Sequence, residues 1–164
     1  MELALATMLV ALPLALATLR IVLSDARTML IRDLDVFAIL VVGLLASWLG
    51  LDAAMGAGFA AVVEALARAA LVAGALAAVG WTFRAARGID GLGLGDVKLC
   101  AAWATLLPLA GVANAVTLAA VATLGIVALR ARDAPVGATR VPFGVALAPA
   151  LLLVWLARAF ATVV

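Results

Sequence analysis

Apolar residues in this sequence run in long stretches instead of alternating with polar ones, and that pattern limits the solvent in which the chain can fold. Six stretches, 3–23, 34–50, 57–83, 96–109, 111–130 and 141–163, carry few charges. Most reach the roughly 20 apolar residues that a helix needs to cross a bilayer core. In hydrocarbon every backbone N–H and C=O must be satisfied inside the protein, so segments of this kind fold as helices. Composition agrees: a hydrophobic content of 69% and a mean hydropathy of +1.33 lie outside the range of soluble globular domains. The expectation is all-α, a polytopic membrane bundle of about six transmembrane helices forming a single integral-membrane domain over 1–164. The first run, Leu3 to Leu23, follows Glu2 in place of a basic region and exceeds the core of a signal peptide, so it is read as a retained span.

Charge orients the bundle. Six spans put loops 24–33, 84–95 and 131–140 on one side. These loops and their edges hold Arg27, Arg32, Arg84, Arg87, Lys98, Arg130, Arg132 and Arg140, eight of the eleven basic residues. The opposite loops, at 51–56 and around 108–111, hold none. By the positive-inside rule the basic loops face the cytoplasm and both termini face outward. The same asymmetry divides 96–130 into two spans. Pro108 and Gly111 permit a tight turn there, whereas one long span would strand loop 131–140 outside. In the third span Glu64 and Arg68 stand one helical turn apart, acid first, and are expected to pair. The basic residues form no dense block, so the expected surroundings are lipid and not nucleic acid.

This topology brings two distant acids to one depth. Asp25 follows the first span and Asp96 begins the fourth, both at the cytoplasmic edge. An acid close to hydrocarbon usually faces a polar cavity or a partner. Residues 91–95 read Gly-Leu-Gly-Leu-Gly. Their glycines remove side chains beside Asp96 and let another helix or an extended peptide approach it. Each feature also has a plain reading, a solvated interfacial acid or a glycine that packs helices. Other chemistry is scarce. There is no histidine and one cysteine, Cys100, which excludes an internal disulfide, a cysteine-rich zinc site and the usual base of a thiol protease. Cys100 is read as a small packing residue. Lys98 is expected to pair with lipid phosphate or a loop acid, and Asp33, Asp35 and Asp90 to be solvated or to pair with arginine.

Three segments together resemble a known family. Gly93-Leu94-Gly95-Asp96, continued through Val97, Lys98 and Leu99, resembles the GxGD signature of the type IV prepilin peptidases, a group of intramembrane aspartic proteases. The stretch from Asp25 to Asp33 is similar to the family's first motif, in which an aspartate closes a helix and a Pro-Asn or Pro-Asp pair follows eight residues on. Arg32 stands where the proline is expected. Val141-Pro142-Phe143-Gly144 is similar to the family's Pro-Phe-Gly segment at the entrance to the last helix. The resemblance implies that Asp25 and Asp96 are catalytic. It also implies that Gly93, Gly95, Lys98, Pro142, Phe143 and Gly144 bind substrate or shape the active site, and Asp33 is the first alternative catalyst. Many members carry a four-cysteine zinc-binding insertion associated with N-methylation. With one cysteine and a short first cytoplasmic loop, this chain resembles the peptidase-only form of tight-adherence (Flp-type) pilus systems.

The implied reaction is removal of a short basic leader from a prepilin whose apolar helix lies in the bilayer, with no metal or organic cofactor. Two carboxyl groups close together hold one proton between them and titrate as a unit. One can then activate water while the other serves the carbonyl oxygen and the leaving amine. The competing class is a non-catalytic membrane protein, either a small proton-coupled transporter or a subunit of an envelope machine. A carrier would place its acids nearer the bilayer middle and is helped by inverted repeats.

Overall fold

A computed structural model of the protein describes residues 2–51, 56–88, 91–130 and 142–161, apart from the side chains of 2–6 and 130. Among the described residues there are six helices and no strand: α1 (Glu2–Thr28), α2 (Asp33–Leu49), α3 (Gly58–Arg87), α4 (Leu94–Trp103), α5 (Leu109–Arg130) and α6 (Gly144–Ala161). They match the six apolar stretches one for one, as the all-α bundle requires. Four helices are long and apolar enough to cross a membrane, over Thr7–Thr28, Gly58–Arg87, Leu109–Leu129 and Gly144–Ala161. Helix α2, with 17 residues, rises about 25 Å and stands at the short end of that range.

The expected fourth span, 96–109, needs correction. Helix α4 has 10 residues and rises only about 15 Å, half the thickness of a hydrocarbon core. Pro108 is the cause. It has no N–H for the Ala104 carbonyl and biases Leu107 away from helical geometry, so the helix ends a turn earlier. The chain then bends through 104–108, with Leu106 and Leu107 donating back to the Trp103 carbonyl. Two other boundaries move outward: α1 continues to Thr28 and α3 to Arg87. Arg27, Arg84 and Arg87 therefore occupy last helical turns, where the carbonyl end of the helix dipole favours cations.

Helix α4 is the centre of the bundle, packed on α2, α3 and α6. Helix α1 lies against α2 and α6, and α5 leans on α6. Leu99, Cys100, Trp103, Leu106 and Leu107 are buried against a core that includes Leu14 and Ile21 of α1, Ile39 of α2, and Leu147 and Leu151 of α6. Outside, Leu9, Leu12 and Leu16 on α1, Phe37 and Trp48 on α2, and Leu118, Val121 and Leu124 on α5 are exposed. A continuous apolar exterior of this extent suits lipid and would drive aggregation in water.

The turn after α4 is itself buried, from Ala104 to Leu107, so its carbonyls need partners within the protein. Two arginines supply them. Arg68 of α3 donates from Nε to the Ala104 carbonyl at 3.1 Å and from Nη1 to Glu64 at 2.6 Å. Arg158 of α6 donates to the Leu106 carbonyl at 3.3 Å. The expected Glu64–Arg68 pair thus forms and also anchors the end of α4.

Candidate active site

The end of the bundle that carries the last turn of α1 and the first turns of α4 and α6 brings together Asp25, Asp33, Asp96 and Lys98. Asp25 lies within α1, because that helix runs past the expected boundary, and its side chain is buried. Its Oδ2 accepts the Val145 N–H at 3.0 Å. The carboxylate therefore caps α6, where free amides and the helix dipole favour an anion. Gly144 makes the approach possible, since a Cβ at that position would stand 2.7 Å from Asp25 Oδ2. The Phe143 carbonyl accepts from Ala146 and Leu147 and opens the helix. Pro142-Phe143-Gly144 thus starts α6 and also seats the first aspartate.

Asp96 stands half-buried in the first turn of α4. The glycines before it have separate tasks. A Cβ at Gly93 would come 3.1 Å from Asp96 Oδ2, and one at Gly95 would come 3.2 Å from Ile31 Cβ. At Gly91 an added Cβ would overlap the ring of Phe83.

A cleft of about 580 Å³ opens between these elements. Asp25 and Asp96 both line it, close enough for the charge on one to act on the other. Gly93, Gly95, Lys98, Pro142, Phe143 and Gly144 line it as well, and so does Asp33, so the residues to which the family resemblance gives a place in the site meet there. A second cavity of about 730 Å³, mostly apolar, lies along α5 and α6 and shares Met29 and Pro142 with the first.

The other acids whose side chains are described, Asp33, Asp35 and Glu64, each have a cation. Lys98 pairs with Asp33 at 2.8 Å on the rim of the cleft, as expected of a lysine beside loop acids. Arg20 pairs with the buried Asp35 at 3.0 Å, and Arg68 with Glu64. Among the acids whose side chains are described, Asp25 and Asp96 are the ones without a basic partner. Asp90, Arg132, Arg140 and Val141 lie outside the described residues. No described group of acids and thiols is arranged to ligate a metal ion.

Sequence reasoning passed over three residues at this site: Val145, whose backbone holds Asp25; Met29, which ends α1 in the left-handed conformation at φ 54°; and Ile31. Backbone donors and wall residues carry no motif. The one available signal was Gly144, a residue without a side chain at the start of a helix in an otherwise crowded apolar sequence.

Comparison with known proteins adds an independent line. The chain is 36% identical over 140 residues to the prepilin leader peptidase/N-methyltransferase of Pseudomonas aeruginosa, an alignment covering 81% of this chain and 44% of that relative. The chain therefore spans less than half the length of the curated relative it matches. No solved structure matches it. Residues 9–128 match the type IV leader peptidase family, a stretch that includes both Asp25 and Asp96. On that match and that identity, the chain belongs to the type IV leader peptidase family.

Proposed function

We propose that this protein is a membrane-embedded aspartic endopeptidase that removes the short basic leader from Flp-type prepilin or prepilin-like precursors at the cytoplasmic face. One observation carries the proposal: of the three acids that line the cleft, Asp33 is paired with Lys98, while Asp25 and Asp96 face the same space with no cation. Charges left uncompensated at the edge of hydrocarbon are costly, and a shared proton relieves that cost.

With one proton between them, the ionised carboxylate takes a proton from water as the water oxygen attacks the scissile carbonyl carbon. The protonated partner hydrogen-bonds the carbonyl oxygen, and the C–N bond breaks as the amine leaves with a proton. The Val145 N–H holds Asp25 in place, Gly93 puts no side chain against the Asp96 carboxyl, and Gly95 lets Ile31 pack beside the start of α4. Gly144, Pro142 and Phe143 shape the opposite wall, and Lys98 ties the rim through Asp33. The apolar cavity beside the cleft is consistent with a precursor helix lying in the bilayer while its leader stays in the cytoplasm. The relative's name joins cleavage to N-methylation. We assign this chain, read as one peptidase domain over 1–164, cleavage alone.

Co-expression of a Flp-type precursor with the wild-type chain, Asp25→Asn or Asp96→Asn tests the reading. Leader loss, followed by mass spectrometry of the membrane fraction, is expected only with the wild type, with all three chains inserted equally. Leader removal that persists in either variant overturns the dyad.

A further inference from the structure

The position of Ile31 carries an inference beyond the dyad. Its side chain lies between the two helix starts that support the acids. A Cβ at Gly95, next to Asp96, would meet Ile31 Cβ at 3.2 Å. A Cβ at Gly144, against Asp25, would meet Ile31 Cδ1 at 3.1 Å. Ile31 also lines the cleft itself. It therefore packs against both helix starts and presents part of its surface to the cleft that a peptide held between the two carboxyl groups would occupy.

The segment that bears it is held at several points. The Met29 N–H donates to the Asp25 carbonyl at 2.9 Å, closing α1 with a left-handed residue, a conformation uncommon for a side chain of this size. Ser24 Oγ donates to the Leu30 carbonyl at 3.0 Å. On the far side, Asp33 begins α2 and is tied to Lys98 of α4. Only Met29 to Arg32 connect the two helices. A β-branched side chain on so short and so anchored a link has few rotamers and little room to withdraw.

We propose that Ile31 is a specificity-determining residue, a fixed wall that restricts one of the two positions flanking the scissile bond to small side chains. The inference rests on the peptidase reading above. Apolar walls of this kind discriminate by about 10- to 200-fold per methylene group, so removing part of the wall relaxes the preference instead of abolishing cleavage.

The test uses the full-length protein in lipid nanodiscs and a Flp-type precursor in which each residue flanking the cut is replaced in turn by Gly, Ala, Val or Leu. For the wild type, kcat/KM is expected to fall at least 100-fold from the smallest to the largest residue at one of the two positions. Ile31→Ala is expected to reduce that ratio about 10-fold or more at the same position, and Ile31→Phe to increase it. Ile31→Val, one methyl smaller, gives a change in the direction of alanine and serves where the larger substitutions disturb folding. Ratios that stay constant across these variants overturn the role of Ile31 and leave the dyad standing. A wild-type chain that cleaves none of the precursors overturns the peptidase reading and this inference with it.

Discussion

At the scale of single residues, the site depends on contacts so close that small additions are expected to disrupt them. Gly144→Ala puts a methyl group against Asp25 Oδ2 and must move either the carboxyl or the start of α6. Misplacement by about 1 Å costs on the order of 100-fold in rate, so kcat is expected to fall by that factor while the protein still inserts and purifies normally. The proposed dyad also fixes the form of the pH dependence. When both carboxyls are protonated no base remains, and when both are ionised no acid remains. A plot of kcat/KM against pH is therefore expected to be a bell whose two limbs both belong to the pair; a flat profile speaks against a shared proton. Asp25 and Asp96 were legible in the sequence because each is an acid at the edge of an apolar stretch, and Pro142-Phe143-Gly144 because it resembles a family motif. Ile31 was not, because an isoleucine among leucines and valines departs from nothing, and its partners lie more than 60 residues away along the chain.

At the scale of elements, α4 is the informative one. A helix of 10 residues carries Asp96 at one end and is gripped at the other by Arg68 and Arg158 through the Ala104 and Leu106 carbonyls. Those hydrogen bonds fix how far α4 projects, and so how Asp96 faces Asp25. Arg68→Met leaves a buried carbonyl unsatisfied at a cost of about 1–3 kcal/mol. It is expected to lower the thermal midpoint in detergent by several degrees, with Arg158→Met acting in the same direction. A midpoint unchanged in both variants would show that water or neighbouring groups replace the arginines. Hydropathy located this segment and Pro108 marked its end, but the expected span ran to 109 because an apolar buried turn is indistinguishable from helix by composition. The acid-first spacing of Glu64 and Arg68 was readable for the opposite reason, since partners four residues apart on one helix are set by local geometry. The hold of Arg68 on Ala104, 36 residues away, follows only from the packing of α3 on α4.

At the scale of the whole molecule, the basic residues argue for the dyad end of the bundle facing the cytoplasm and for both termini facing outward. Cysteines placed at Arg87 and at Phe59, near opposite ends of α3, separate the possibilities. Arg87→Cys is expected to react with a membrane-impermeant maleimide in inverted vesicles, and Phe59→Cys in right-side-out vesicles; the reverse pattern rejects the orientation. The parent chain suits this measurement well. Its sole sulfhydryl, Cys100, sits one turn past Asp96 at the centre of the bundle and is 1% exposed. Water-borne reagents should find nothing to modify in the intact protein, which becomes its own blank. Any label that does appear on the unsubstituted chain then reports α4 parting from its neighbours, giving a built-in clock for how often the closed core breathes.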